Sequence, residues 1–173
     1  MLQLRAASLA DTHQIAGALA GLARPGDMVV LSGEMGAGKT AFAQGFGRAL
    51  GVTEPITSPT FTLVHSYDCG KITLHHADLY RLERTTEVAE LALGELAEFN
   101  GIVLVEWGDV VESSLGDHLV VHLEADPVDL TEPDPSDESA VLDAGRSIEL
   151  TGVGSSWAAR WPRITTVCEV FRC

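Results

Sequence analysis

Apolar residues occur in short segments along the chain, and the spacing of the apolar positions differs from one segment to the next. Residues 28–32 and 102–105 are apolar almost throughout, which is typical of strands buried on both faces of a sheet. Residues 86–99 carry apolar side chains at helical spacing, and a helix over residues 39–51 would end at a glycine. The pattern predicts an α/β protein with helices on both faces of a central sheet.

The remaining segments predict shorter elements. Residues 2–6, 118–124 and 147–150 have the composition of strands, and Ser8 with Asp11 predicts a capped helix to about residue 23.

Two β-rich runs, residues 61–67 and 71–76, flank a short turn at Asp68-Cys69-Gly70. Strand-forming runs separated by a short glycine-containing turn pair as an antiparallel hairpin. We therefore expect a mixed, mainly parallel central sheet that includes an antiparallel hairpin.

The chain has 173 residues, which is the length of one domain. We assign residues 1–154 to that domain and expect residues 126–143, rich in Asp, Glu, Pro and Ser, to form an acidic surface loop. Residues 155–173 are a C-terminal extension whose only clear feature is an apolar run over residues 164–171.

Composition narrows the possible partners. The net charge is −14, and Lys39 and Lys71 are the only lysines, so the chain lacks the basic face that nucleic-acid binding requires. We expect any RNA to be held by another subunit.

The sequence also bears on where the protein works. No apolar run reaches the length of a membrane span, and no secretory signal is visible. Three widely spaced cysteines favour reduced thiols. A soluble, cytoplasmic protein is expected.

A phosphate-binding motif lies between the first apolar strand and the next helix. Gly33-Glu34-Met35-Gly36-Ala37-Gly38-Lys39-Thr40 matches GxxxxGK[ST], in which glycines turn backbone N–H groups toward phosphate oxygens at a helix N-terminus. Lys39 would reach the β- and γ-phosphates, and the Thr40 hydroxyl would bind Mg²⁺. We predict ATP and Mg²⁺ as cofactors and include Ala41 among the nucleotide-binding positions.

Two acidic residues follow strands that should end near this loop. Glu106 is expected to face the loop and complete the Mg²⁺ shell, although a carboxylate can also simply end a strand at the surface. Asp78 is a candidate to position the attacking water or assist the metal, and its alternative role is to cap a turn. With Lys39 these residues form the predicted catalytic set, and Thr40, Asp78 and Glu106 the predicted metal ligands.

Zinc is an alternative that we do not favour, because adjacent residues of a strand, here His75 and His76, point to opposite faces. Ser58 and Thr60 lie where phosphate-loop proteins often sense the γ-phosphate, but a plain connecting loop fits that spacing equally well. Trp107 is a candidate contact for nucleotide or partner, or a packing residue.

Four blocks carry a closer resemblance: residues 33–40, 57–64, 76–82 and 105–107. In their order and spacing they resemble the bacterial ATPase family of tRNA threonylcarbamoyladenosine biosynthesis, known as TsaE or YjeE. The resemblance implies a P-loop NTPase-like three-layer sandwich and an ATP hydrolase that is weak alone and stimulated by partners.

The same resemblance implies a biological role. Such a protein acts with TsaB and TsaD subunits in modifying the adenosine next to the anticodon of tRNAs reading ANN codons. By analogy Lys39 holds phosphate, Thr40, Asp78 and Glu106 surround Mg²⁺, and residues 58–60 act as a switch. Many relatives have a second Thr where this chain has Ala41, so a contact to the α-phosphate is missing and a lower nucleotide affinity is expected.

Two other functions remain open at this point. A small-molecule kinase would use Asp78 as the base for a substrate hydroxyl, although no arginine-rich lid is evident. A nucleotide-dependent switch would bind ATP without turnover. Guanine recognition through Asn-Lys-x-Asp is excluded, because the only asparagine, Asn100, precedes Gly101.

Overall fold

The computed structural model describes residues 1–59, 62–80, 92–107, 115–127 and 144–173. Its elements, in chain order, are β1 (Leu2–Ala6), α1 (Leu9–Ala20), β2 (Met28–Ser32), α2 (Lys39–Leu50), β3 (Val64–Asp68), β4 (Thr73–Asp78), α3 (Leu93–Glu98), β5 (Gly101–Glu106), β6 (His118–Ala125), β7 (Arg146–Val153), α4 (Ser155–Val167) and a 3₁₀ turn (Glu169–Phe171).

The described strands form one seven-stranded sheet in the order β1-β7-β6-β2-β5-β4-β3. The four central strands, β6, β2, β5 and β4, run parallel to one another. Strands β7 and β1 extend one side antiparallel, and β3 pairs antiparallel with β4 on the other. The predicted mixed sheet with an antiparallel hairpin is therefore confirmed, and its parallel part is the centre.

Strand β5 is buried at every position because both faces of the sheet are covered. On one face Leu104 joins a core that includes Phe42 of α2 and Ile15 of α1. On the other face Val103 packs in a second core with Leu93 of α3. Side chains of one strand thus enter two separate cores, because helices cover both faces of the sheet. This arrangement is the three-layer sandwich that the family resemblance implies.

Helix α1 begins as its sequence predicts, since the Ser8 hydroxyl accepts a hydrogen bond of 3.2 Å from the Asp11 N–H. Its predicted end near residue 23 was wrong. The helix ends at Ala20, and the N–H groups of Leu22 and Ala23 bond to carbonyls only three residues back. The chain therefore leaves the α-helix through a tighter turn.

Two further boundaries differ from the prediction. The hairpin strands are Val64–Asp68 and Thr73–Asp78, so they begin three and two residues later than the β-rich runs suggested. Of the helix predicted over residues 86–99, the structure describes Leu93–Glu98 as helical. Ala92 at its N-cap has a left-handed φ of 46°, so the helix begins after it, and residues 81–91 lie outside the described part of the chain. Most of the proposed acidic loop, residues 128–143, also lies outside it.

Residues after Gly154 form helix α4, which the sequence pattern did not predict. Trp157, Ile164 and Cys168 enter the same core as β1 and α1. Arg160 is held by Asp27 through two hydrogen bonds of 2.5 and 2.7 Å, both groups being buried. The extension is thus packed against the sheet. Within the described ranges, no helix has the length and apolar composition needed to cross a membrane.

Candidate nucleotide and magnesium site

The phosphate loop connects the end of β2 to the start of α2, as its motif requires. Gly33, Gly36 and Gly38 have φ angles of 130°, 83° and 100°, which residues with a side chain rarely adopt. A Cβ on Gly33 would also overlap the Leu123 carbonyl oxygen of β6. The motif glycines are therefore required by backbone conformation and by the close approach of a neighbouring strand.

Helix α2 begins at Lys39, and its N-cap is Gly38, which has no side chain to bond the first-turn N–H groups. Uncapped amides at a helix N-terminus point outward and, together with the helix dipole, favour a bound anion. The structure thus has the local arrangement that a phosphate group requires.

Lys39 lies inside the site and is only 5% exposed. Its ammonium group donates hydrogen bonds of 2.8 Å to the Gly33 and Glu34 carbonyls. It also lies 3.9 Å from the centroid of the Trp107 ring, within range of a cation–π interaction. The charge that was predicted to reach phosphate is therefore held at the loop by carbonyls and an aromatic face.

Glu106 faces the phosphate loop from the end of β5 and is 3% exposed, so it is not a surface carboxylate. Its Oε1 accepts a hydrogen bond of 3.3 Å from the Thr40 hydroxyl and one of 2.8 Å from His76 Nε2. Two of the three predicted metal ligands, Thr40 and Glu106, are thus in direct contact.

Asp78 lies beside Glu106, since the two residues are register partners on the parallel strands β4 and β5. Its Oδ2 accepts a hydrogen bond of 2.8 Å from the Ser58 hydroxyl, and its Oδ1 accepts one of 2.9 Å from the Tyr80 N–H. Asp78 therefore caps the turn after β4 and also joins the Ser58 segment to the site. Thr60, the other predicted contact of that segment, lies outside the described residues.

These groups line one cleft of about 470 Å³. Its lining comprises Met35, Gly36, Gly38, Lys39, Thr40, Ala41, Ser58, Asp78, Tyr80, Glu106 and Trp107.

Among the described residues, three predicted nucleotide-binding positions are not part of this lining. Gly33 and Glu34 contribute carbonyls to Lys39, and the Ala37 side chain is buried in the larger core. Trp107 both lines the cleft and packs against the second core, so its two predicted roles are compatible.

The donors of the cleft suit a magnesium ion carried by a nucleotide. Hydroxyl and carboxylate oxygens are the ligands that Mg²⁺ prefers, and in phosphate sites one or two carboxylates are enough because phosphate and water supply the rest. Among the described residues, no cluster of three or more His, Cys, Asp or Glu side chains could hold a metal by itself.

The two adjacent histidines of β4 point to opposite faces of the sheet. His75 Nδ1 lies 2.8 Å from the Ser66 hydroxyl, whereas His76 Nε2 lies 2.8 Å from Glu106. Burial lowers the pKa of His75, which favours its neutral form. Opposed side chains of this kind cannot bind one zinc ion together.

Two residues near the site were not assigned a role from the sequence. His76 bonds to Glu106, and the strand period that places it on the same face as Asp78 could have revealed it. Arg146, at the start of β7, is buried with its guanidinium against Gly38. No local signal points to Arg146, because its position depends on the pairing of β7 with β6.

The chain matches known proteins along most of its length. The family model for the threonylcarbamoyl adenosine biosynthesis protein TsaE matches residues 6–131. The tRNA threonylcarbamoyladenosine biosynthesis protein TsaE of Bacillus subtilis is 41% identical over 114 residues, which cover 66% of this chain and 71% of the relative. The protein of that name from Streptomyces coelicolor is 37% identical over 143 residues, covering 81% and 89%.

A solved structure shows the same fold. The crystal structure of Bacillus subtilis YdiB superimposes with a TM-score of 0.69 at 30% identity, covering 98% of this chain and 92% of that one. The similarity in structure therefore includes β7 and α4, which lie beyond the matched residues of the family model. The family match, the relatives and the shared fold show that this chain belongs to the TsaE family of tRNA threonylcarbamoyladenosine biosynthesis proteins.

Proposed function

We propose that this chain is a Mg²⁺-dependent ATPase subunit required for threonylcarbamoyl modification of the adenosine next to the anticodon in tRNAs reading ANN codons. It acts with partner subunits of the TsaB and TsaD type. The observation that carries the proposal is the meeting of Lys39, Thr40, Asp78 and Glu106 in one cleft at a helix N-terminus. Family membership supplies the tRNA modification as the process in which that cleft is used.

In this proposal each residue acts on the nucleotide through a group already placed at the cleft. The amides of residues 36–40 donate to phosphate oxygens, and the Lys39 ammonium neutralises charge on the β- and γ-phosphates. Thr40 and Glu106 would hold Mg²⁺, which when bound would neutralise negative charge that develops on the nucleotide. Asp78 orients the attacking water or completes the metal shell.

Ser58 gives the proposed switch a physical connection to the site. It bonds to Asp78 Oδ2 at 2.8 Å, so a movement of residues 57–59 changes the surroundings of the carboxylate. Because a γ-phosphate and its metal would lie next to this pair, binding and hydrolysis would favour different positions of the segment. Such a change is the means by which partner subunits would read the nucleotide state.

Charge supports an indirect relation to tRNA. The chain has 25 acidic and 11 basic residues, which disfavours a phosphate backbone at its own surface. In the proposal the tRNA is held by the partner subunits, and this chain contributes the nucleotide cycle. Its place is the cytoplasm, where tRNA is modified.

Reconstitution tests the proposal. The chain, its TsaB and TsaD type partners and unmodified tRNA are combined with Mg²⁺ and ATP, and modified adenosine and phosphate release are both measured. We expect repeated rounds of modification only when the chain is present, and ATP hydrolysis that rises when the partners are added. Asp78→Asn and Glu106→Gln should retain nucleotide binding and lose hydrolysis, whereas Lys71→Ala, at an exposed lysine outside the motif blocks, should resemble the wild type.

Two results would contradict the proposal. Transfer of the γ-phosphate to a small metabolite, without any need for partners, would identify a kinase. Full tRNA modification with ATP bound but not hydrolysed would identify a switch without turnover.

A further inference from the structure

His76 contacts Glu106 in the interior of the site. Its side chain is fully buried on β4, and its Nε2 lies 2.8 Å from Glu106 Oε1. Because an ionised carboxylate only accepts hydrogen bonds, Nε2 carries the hydrogen and donates it. A buried imidazole is thus paired with the carboxylate that faces the phosphate loop.

Stability alone is a poor reason for a histidine at this position. Among the described residues, His76 Nδ1 has no hydrogen-bond partner although it is buried. A buried polar atom without a partner costs free energy, which an apolar side chain of similar size would avoid. The Glu106 contact is therefore the feature of His76 that requires an imidazole.

Among the described residues, two side chains donate to the Glu106 carboxylate, and both meet the same oxygen. The Thr40 hydroxyl and His76 Nε2 each donate to Oε1, at 3.3 and 2.8 Å. A glutamate side chain has three rotatable bonds, and donors from α2 and from β4 together fix the plane of its carboxylate. Because these donors engage Oε1, Oε2 is the carboxylate oxygen that would be available to a metal.

We propose that His76 is a positioning residue that holds Glu106 in the orientation needed to bind the Mg²⁺ of a bound nucleotide. This inference rests on the proposed function, because it assigns Glu106 to the metal. Outer hydrogen bonds of this kind orient metal-binding carboxylates, and their loss typically lowers metal affinity about 10- to 100-fold. His76 itself contacts neither metal nor nucleotide.

The neighbouring His75 provides a matched control. It is on the same strand and is also buried, but it faces the other side of the sheet and bonds to the Ser66 hydroxyl. A change at His75 therefore disturbs a buried histidine of β4 without disturbing the Glu106 contact.

Two substitutions at His76 distinguish the effect of the hydrogen bond to Glu106 from the effect of the side-chain volume. In His76→Gln the side-chain amide N–H₂ can occupy the place of Nε2 and donate to Glu106. In His76→Asn the shorter side chain places its amide near the position of Nδ1, out of reach of Glu106. Thermal unfolding without nucleotide confirms that each variant, including His75→Asn, is folded.

The experiment measures Mn²⁺ affinity of the ATP-bound protein by electron paramagnetic resonance, and ATP affinity in EDTA by calorimetry. We expect His76→Asn to weaken Mn²⁺ binding about 10- to 100-fold while ATP affinity in EDTA stays unchanged. His76→Gln should recover most of the loss, and His75→Asn should resemble the wild type.

Wild-type Mn²⁺ affinity in His76→Asn would overturn the inference. So would equal losses in His76→Asn and His76→Gln, or a parallel loss of ATP affinity in EDTA, because each indicates a purely structural role. If the wild-type protein itself bound ATP with no contribution from the metal, the proposed function would fail together with the inference, and this result is distinct from the others.

Discussion

The Lys39 ammonium group lies 3.9 Å from the centroid of the Trp107 ring while donating to two carbonyls of the phosphate loop. Trp107 has a φ of 60°, in the left-handed region that costs free energy for a residue with a side chain. The indole therefore lies against the ammonium group that a γ-phosphate would approach. Any movement of Lys39 toward phosphate changes the surroundings of this ring.

The contact predicts a fluorescence signal for nucleotide binding. Adding ATP with Mg²⁺ should change the emission of Trp107, because phosphate competes with the ring for Lys39. Trp157 and Trp161 supply a constant background, and Trp107→Phe should remove the change while leaving that background. A signal of equal size in Trp107→Phe would contradict the placement of phosphate beside Lys39.

Two glycines of the phosphate loop should differ in their tolerance of alanine. Gly36 and Gly38 both have positive φ, so each substitution costs about 1–2 kcal/mol of backbone strain. Only at Gly38 would the added Cβ overlap another group, the Arg146 guanidinium, whereas the space around Gly36 is open. Gly38→Ala should therefore weaken ATP binding more than Gly36→Ala.

Calorimetry of ATP binding to both glycine variants checks this difference. Replacing Arg146 by alanine in the Gly38→Ala background should recover part of the affinity, because the overlap is then removed. Equal losses in Gly36→Ala and Gly38→Ala would show that backbone strain alone sets the requirement for glycine.

The buried pair of Asp27 and Arg160 should contribute strongly to stability. Arg160 also donates to the Leu22 carbonyl and stacks on Trp157, so it fastens α4 to the turn before β2. Arg160→Met leaves the Asp27 charge buried and should lower the free energy of unfolding by about 3–5 kcal/mol. Urea denaturation of the wild type and the variant measures this change in the free energy of unfolding.

Arg163 is the matched control, since it lies on the same helix but is exposed. Arg163→Met should change the free energy of unfolding by less than about 0.5 kcal/mol. A loss of similar size in both variants would show that helix propensity, and not the buried pair, decides the stability of this region.

The cysteines should differ in reactivity. Burial raises the pKa of Cys168 to about 11, so at pH 8 its thiol is neutral as well as inaccessible, whereas Cys173 is exposed. A thiol reagent should modify Cys173 rapidly and Cys168 only after unfolding. Mass spectrometry of the labelled protein distinguishes them, and labelling of Cys168 in the folded protein at the rate of Cys173 would contradict its burial.

The same raised pKa has a consequence for stability at alkaline pH. The unfolded thiol ionises near its ordinary pKa of 9.0, while the folded thiol keeps its proton until about pH 11. The unfolded state is therefore favoured progressively as the pH rises through this window. Cys168→Ala should show a smaller fall in stability between pH 9 and pH 11 than the wild type.

Features encoded by neighbouring residues could be predicted from the sequence. Strands β2 and β5 are recognisable because burial on both faces requires apolar residues at almost every position. The phosphate loop is recognisable because its glycines, Lys39 and Thr40 act within eight consecutive residues. Such local requirements leave a pattern that is visible without the fold.

Features that depend on distant contacts could not be predicted. Helix α4 contains Pro162 and mixes polar with apolar residues, and Arg160 finds its partner Asp27 at a separation of 133 residues. The bond between His76 and Glu106 likewise depends on the register of β4 against β5. Sequence spacing does not fix a register between strands, so these contacts emerge only in the folded chain.

Nucleotide binding through Lys39 is tested most directly by calorimetry of the folded chain with ATP and Mg²⁺, using the wild type, Lys39→Ala and Lys71→Ala. Lys71 is the other lysine of the chain and is exposed, so it controls for the loss of one positive charge. A hydrogen bond to a charged group contributes about 1.5–3 kcal/mol, so Lys39→Ala should weaken binding about 10- to 100-fold, while Lys71→Ala should bind as the wild type does. Unchanged binding in Lys39→Ala, or an equal loss in Lys71→Ala, would contradict the phosphate site.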